Sequence, residues 1–115
     1  MYKIQTLDRI SAVGLNNFPR DEYEIASEIM KPDAILVRSH DMLSMELDQN
    51  VKAVARAGAG VNNIPCKDLA GKGVVVFNTP GANANAVKEL VILGLLMASR
   101  PVIAANKFCN GLSGK

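Results

Sequence analysis

Short apolar runs alternate along the chain with polar or glycine-rich turns, in an order typical of alternating strands and helices. Residues 2–7 alternate polar and apolar positions and predict a first strand with Ile4 facing inward. Four later runs predict further strands, at residues 23–26, 34–37, 52–56 and 74–77. The run at 34–37 is wholly apolar, which predicts a strand covered on both faces. The link at 27–33 is too short for a crossover helix, and Pro32 would interrupt one.

Between most of these runs, apolar residues recur at the spacing typical of a helix. Residues 7–18 predict a loose helix despite Gly14, and residues 42–50 predict a short second one. Asn63 is placed to cap a third helix, which would start at Ile64 and end before two glycines at positions 71 and 73. The alternation as a whole predicts an α/β fold with a parallel, flavodoxin-like sheet of about five strands and right-handed crossovers.

The longest helical pattern follows the last strand. Asn83 or Asn85 can cap a helix that runs to about Ser99, and apolar residues cover most of its circumference. Such a helix is expected to be buried. Pro101 should end it, residues 104–108 can continue as helix, and residues 111–115 are expected to form a tail or linker.

Composition excludes several classes of function. The 115 residues have a net charge of +2 and no basic block, so nucleic acid is not an expected partner. No run is long enough for a signal peptide or a membrane span, and no membrane association is expected. Cys66 and Cys109 match no metal or redox spacing, so we expect reduced thiols, no metal site and a cytoplasmic protein.

The glycine-rich turn after the fourth predicted strand is the first candidate for ligand chemistry. Gly58-x-Gly60 lacks the rest of a dinucleotide fingerprint, because Asn63 holds the third glycine position and no suitably placed acidic residue follows. A turn of this kind still offers backbone N–H groups to an anion. The alternative is that the glycines serve only the backbone dihedrals of a tight turn.

Two arginines and an asparagine lie at the carboxyl ends of predicted core strands, where ligands of parallel sheets bind. Arg38 and Arg56 can each hold a phosphate or carboxylate in two-pronged geometry, and Asn78 ends the next strand. The alternative is a pair of solvated arginines beside the strands and an asparagine that opens a turn. His40 has no cysteine, serine or acidic partner at catalytic spacing, and a surface role is expected for it.

Three segments carry a family resemblance. ILVRS (35–39), RAGAGVNNIP (56–65) and KGVVVFNTPGANANAVKEL (72–90) closely resemble the D-isomer-specific 2-hydroxyacid dehydrogenases. The resemblance covers about residues 1–100 and implies an incomplete substrate-binding domain. Residues 101–115 would then lead towards a Rossmann domain that binds NAD.

The resemblance also implies a binding site for a small phosphorylated hydroxy acid. Arg38, Ser39 and Arg56 would hold the anionic ends of this substrate. The amides of Ala59, Gly60 and Val61 would bind its carboxylate, and Asn78 would lie near the reacting carbon. Ala59 would also approach the nicotinamide half of NAD.

The catalytic arginine, glutamate and histidine of the family have no counterpart in this chain, and neither has its complete G-x-G-x-x-G. The chain is therefore expected to be a truncated or naturally split piece that does not transfer hydride alone. The complete enzyme is expected to be a homo-oligomer. Three alternatives stay open: an NAD-dependent dehydrogenase that acts on another D-2-hydroxy acid, a stand-alone anion-binding or regulatory module, and an inactive fragment that self-associates through the apolar helix at 87–97.

Overall fold

A computed structural model describes residues 1–113 of the chain. The chain divides into two compact units, Met1–Ala82 with the sheet, and a unit of two helices that begins at Asn83. The tail predicted at 111–115 contains neither helix nor strand as far as residue 113, and its last two residues lie outside the described range.

All five predicted strands are present and all pair in parallel. Their bounds are β1 Tyr2–Thr6, β2 Tyr23–Ala26, β3 Ala34–Val37, β4 Ala53–Arg56 and β5 Val75–Phe77. The sheet order is β2-β1-β3-β4-β5, which is the flavodoxin-like order. In the register, Ala34 lies opposite both Ile4 and Ala53. The predicted fold class is confirmed.

The hydrophobic core lies on one face of this sheet. Ile35, Val37 and Val54 are buried there and pack with buried residues of the connections, namely Met42, Val51, Ile64, Leu69 and Val74. On the opposite face Leu36 is half-buried and Phe77 is exposed. The expectation that β3 is covered on both faces is therefore wrong for residues 1–113: Ala34 and Leu36 of β3 are only partly buried, although Ile4 of the neighbouring strand is buried on their face.

The helices of the sheet unit are shorter than predicted. The helix expected at 7–18 is reduced to α1, Ala12–Leu15, because Leu7 still bonds to the sheet, with its N–H 3.0 Å from the Leu36 carbonyl. The next helix, α2, spans Cys66–Gly71 and has Pro65 at its N-cap. Asn63 does not cap it, because its side chain binds the loop after β3.

Residues 42–50 form no helix. Asp41 and Asp48 instead accept the N–H groups two residues further on, at 2.8 and 2.9 Å, and such Asx-turns compete with helical hydrogen bonding. Met42 is nevertheless fully buried, and its N–H donates to the Asn63 carbonyl at 2.9 Å. The segment thus covers the core as a loop.

The second unit consists of α3, Ala84–Ser99, and α4, Val102–Asn110. They are separated where expected, since Arg100 is extended before Pro101. No residue of α3 is buried, which contradicts the expected burial of this helix; Leu90 and Leu95 are each 67% exposed. Within residues 1–113, no helix combines the length and apolar character that crossing a bilayer requires.

Candidate functional site

The carboxyl ends of β3, β4 and β5 bring the predicted site residues to one edge of the sheet. The Ala57 N–H donates to the Val37 carbonyl at 2.8 Å, which joins the ends of β4 and β3. The Thr79 N–H donates to the Gly58 carbonyl at 3.0 Å, which joins the end of β5 to the glycine turn. Three loops with candidate anion-binding residues are therefore direct neighbours.

Arg56 holds two of these loops together. Its Nε donates to the Arg38 carbonyl at 2.8 Å, and its Nη1 donates to the Gly60 carbonyl. The same Nη1 lies 3.5 Å from Oδ1 of Asn62. The guanidinium thus binds carbonyls of the protein itself and fixes the glycine turn against the loop after β3. That Arg56 also contacts a substrate stays a prediction.

The glycines of the turn make room for this guanidinium. A Cβ on Gly58 would lie 3.1 Å from Nε of Arg56, and a Cβ on Gly60 would lie 3.3 Å from its Nη1. Neither glycine has a positive φ, whereas Gly73 and Gly81 do, at 76° and 82°. Glycine at these two positions therefore allows the close approach of a side chain, and the alternative interpretation from dihedrals alone is not supported.

The carbonyl groups of the turn are engaged within the protein. The Gly58 carbonyl accepts the Thr79 N–H, and the Ala59 carbonyl accepts Nδ2 of Asn78 at 2.9 Å. The Gly60 carbonyl accepts the arginine bond described above. Asn78 is thereby placed where the sequence predicted it, with its amide nitrogen directed to the turn.

The N–H groups of the same turn are not engaged. Those of Ala59, Gly60 and Val61 donate no hydrogen bond to any of residues 1–113. The turn thus has three successive N–H groups without an acceptor among the described residues, and successive backbone donors of this kind favour an anion.

Arg38 and Ser39 follow β3 beside this turn, and both are exposed. The backbone of Arg38 is fixed from two sides, since its N–H donates to Asp8 and its carbonyl accepts Nε of Arg56. The hydrogen bonds of Arg38 within residues 1–113 all involve its backbone, and none is made by its guanidinium. An arginine whose backbone is fixed and whose guanidinium has no partner among these residues is well placed to bind a phosphate or carboxylate.

Asp8 is the site residue that the sequence analysis missed. Its Oδ2 accepts the N–H groups of Arg38, Ser39 and His40 at 2.6, 3.1 and 3.2 Å. Partial burial by itself would raise the pKa of Asp8, but the three backbone N–H groups and the nearby His40 outweigh it and lower that pKa below its ordinary value. Its place directly after β1, beside the end of β3, was the available signal.

Asn63 fixes the other side of the loop after β3. Its Nδ2 donates to the His40 carbonyl at 2.8 Å and lies 3.4 Å from the Arg38 carbonyl. Its Oδ1 is buried and accepts no hydrogen bond from the described residues. His40 is exposed and held by its backbone, in line with the surface role expected for it.

The candidate anion-binding residues Arg38, Ser39, Ala59, Gly60 and Asn78 are all exposed. An apolar hollow of about 150 Å³, which includes Leu36, Ala55 and Thr79 in its lining, adjoins this edge. A larger cavity of about 550 Å³ lies elsewhere, beside Val51, Leu69 and the other residues that precede β4 and β5. An anion at this candidate site would therefore be bound by hydrogen-bond donors on an exposed edge and not by enclosure in a cavity.

Comparison with known proteins agrees with this architecture. Residues 2–111 match the family model of the D-isomer specific 2-hydroxyacid dehydrogenase catalytic domain. D-3-phosphoglycerate dehydrogenase of Archaeoglobus fulgidus is 37% identical over 87 residues, which cover 73% of this chain and 16% of that protein. Hydroxypyruvate reductase of Thermotoga maritima is 37% identical over 98 residues, which cover 74% of this chain and 32% of that protein.

A solved structure shows the same fold. The crystal structure of NAD⁺-bound 3-phosphoglycerate dehydrogenase from Entamoeba histolytica matches with a TM-score of 0.65 and 25% identity, over 84% of this chain and 38% of that one. The chain thus spans between about a sixth and two fifths of the length of these relatives. With the family model matched over nearly all of its residues and the fold shared, this chain belongs to the D-isomer-specific 2-hydroxyacid dehydrogenase family.

Proposed function

We propose that this chain is the substrate-binding part of an NAD-dependent D-3-phosphoglycerate dehydrogenase. The observation that carries the proposal is the turn at 58–61 beside Arg38. Each of its four carbonyls accepts a hydrogen bond, whereas the N–H groups of Ala59, Gly60 and Val61 have no acceptor among the described residues. Two relatives of this chain, from Archaeoglobus fulgidus and Entamoeba histolytica, carry the name 3-phosphoglycerate dehydrogenase.

In this proposal the two anionic ends of 3-phosphoglycerate bind to two different groups of donors. The amides of Ala59, Gly60 and Val61 take the carboxylate, and the Arg38 guanidinium with the Ser39 hydroxyl takes the phosphate. Asn78 lies near the carbon that carries the 2-hydroxyl. Oxidation of that hydroxyl gives 3-phosphohydroxypyruvate, a step of serine biosynthesis, and NAD accepts the hydride.

We expect no tight binding of NAD to this chain alone. The glycine turn lacks the third glycine of the dinucleotide fingerprint, and only Ala59 is expected to approach the nicotinamide. No residue of the 115 is assigned a catalytic role. We therefore expect no hydride transfer from this chain alone. A homo-oligomeric enzyme in the reducing cytoplasm, where the free thiols Cys66 and Cys109 persist, completes the proposal.

The direct test is calorimetric binding of 3-phosphoglycerate to the wild-type chain and to Arg38→Ala. Loss of one charge-assisted contact should weaken binding by about tenfold or more. Arg20→Ala is the matched control, because Arg20 is an exposed arginine that precedes β2, away from the carboxyl edge. Equal affinities of wild type and Arg38→Ala for 3-phosphoglycerate would contradict the proposed phosphate contact.

A second candidate substrate is a D-2-hydroxy acid without a phosphate, which the likeness to the Thermotoga maritima hydroxypyruvate reductase supports. D-glycerate separates the two, since it keeps the carboxylate and the 2-hydroxyl but lacks the phosphate. If D-glycerate binds as tightly as 3-phosphoglycerate and Arg38→Ala leaves both unchanged, the second candidate is favoured. Inorganic phosphate bound as tightly as either acid would instead indicate a stand-alone anion-binding module.

A further inference from the structure

In an open sheet of this order, a ligand is expected where the strand order reverses, at the carboxyl ends of β1 and β3. The loop after β3 presents three consecutive N–H groups there, those of Arg38, Ser39 and His40. Consecutive N–H groups in this arrangement are a binding site for an anion. The place where the fold favours a ligand anion is thus already filled by a carboxylate of the chain itself.

We propose that Asp8 is a positioning residue that acts as an internal anion: it fills the amide site at 38–40 and thereby fixes the loop that carries Arg38 and Ser39. A ligand anion is then excluded from these amides, and a ligand's carboxylate is directed to the turn at 58–61. This second part rests on the proposed function, because that proposal assigns the carboxylate to the turn.

The hydrogen bonds of Asp8 support the first part of the proposal, that Asp8 fixes the loop at 38–40. All three donors converge on one oxygen, Oδ2, at 2.6 to 3.2 Å, from a residue 30 to 32 positions away in the chain. Within residues 1–113, the segment 38–40 is otherwise bound only through its carbonyls, by Arg56 and Asn63. Asp8 is therefore the sole partner of these three N–H groups within residues 1–113.

The chain offers a matched control at the other end of β3. Oδ2 of Asp33 accepts the N–H of Lys3 at 2.8 Å, so it also joins β3 to β1 through a carboxylate and a backbone amide. Asp33 precedes β3, whereas the 38–40 loop follows it. Loss of the Asp33 contact should weaken the fold without changing the 38–40 amides.

The test is amide hydrogen exchange and NMR of the 115-residue chain. In Asp8→Asn we expect the N–H groups of Arg38, Ser39 and His40 to exchange about tenfold faster or more than in wild type, because a charge-assisted acceptor is lost. In Asp33→Asn their exchange should match wild type after correction for global stability. Equal protection of the three amides in wild type and Asp8→Asn would overturn the proposal.

Formate is a suitable probe, because it can supply the carboxylate that the Asp8→Ala variant lacks. In Asp8→Ala, formate should shift the 38–40 amide resonances saturably, and in wild type it should not move them. Failure of formate to shift them in a folded Asp8→Ala would overturn the internal-anion role. If Asp8→Ala does not fold, the exchange of Asp8→Asn decides alone. A wild-type chain that fails to bind 3-phosphoglycerate would sink the proposed function, while the exchange and formate results would still decide the role of Asp8.

Discussion

At the scale of single residues, the candidate site is built by contacts between loops that are far apart in the sequence. Arg56 binds the carbonyls of Arg38 and Gly60, and the glycines of the turn leave space for its guanidinium. The sequence placed Arg56 at the correct edge of the sheet. It did not indicate that the guanidinium binds the chain's own carbonyls, because that depends on distances between loops and not on spacing along one strand.

Gly58→Ala should lower the free energy of unfolding by about 1 kcal/mol, because the added Cβ displaces a guanidinium held by hydrogen bonds. Gly14→Ala is the control: nothing lies within 4 Å of its Cβ position, and alanine within a helix should stabilise by about 0.5 kcal/mol or more. Urea denaturation of both variants checks this. A Gly58→Ala variant as stable as Gly14→Ala would show that the guanidinium yields without loss.

At the scale of elements, strands were predictable from the sequence and most helices of the sheet unit were not. The apolar run at 34–37 was predicted as a strand and forms β3, and its polar carboxyl end predicted where Arg38 would lie. Residues 42–50 have helical spacing, but the Asx-turns of Asp41 and Asp48 replace the helix. The spacing of apolar residues does not show such local competition between side chain and backbone. It also does not show the contact of Asp8 with a loop 30 residues away.

The loop at 42–50 should stabilise the fold through one buried side chain. Met42 is completely buried and Leu43, its neighbour, is 59% exposed. Met42→Ala should therefore lower the free energy of unfolding by about 2–5 kcal/mol, whereas Leu43→Ala should change it by less than about 0.5 kcal/mol. Thermal or urea unfolding of both variants is the measurement. Equal effects would mean that the segment is not anchored at Met42.

At the scale of the whole molecule, both units present apolar surface. In the sheet unit, Val75 and Phe77 of β5 are 52% and 57% exposed. In the helical unit, α3 is apolar and has no buried residue. Exposed apolar surface of this extent is typical of interfaces, which agrees with the homo-oligomer included in the proposed function.

The chain of 12.3 kDa is therefore expected to self-associate through α3. Leu90→Lys combined with Leu95→Lys should shift it to monomer, as measured by light scattering over a range of concentrations. Val13→Lys with Met30→Lys adds the same charge at positions 80% exposed in the sheet unit and should leave the association unchanged. A monomeric wild type, or equal effects of the two double variants, would contradict a role of α3.

The central claim is a preformed anion site at the carboxyl edge of the sheet, and backbone NMR of the wild-type chain tests it most directly. Titration with 3-phosphoglycerate should shift the resonances of Arg38, Ser39, the turn at 56–61 and Asn78, while NAD alone should leave them in place. A well-dispersed spectrum in which 3-phosphoglycerate moves none of these resonances would contradict the claim.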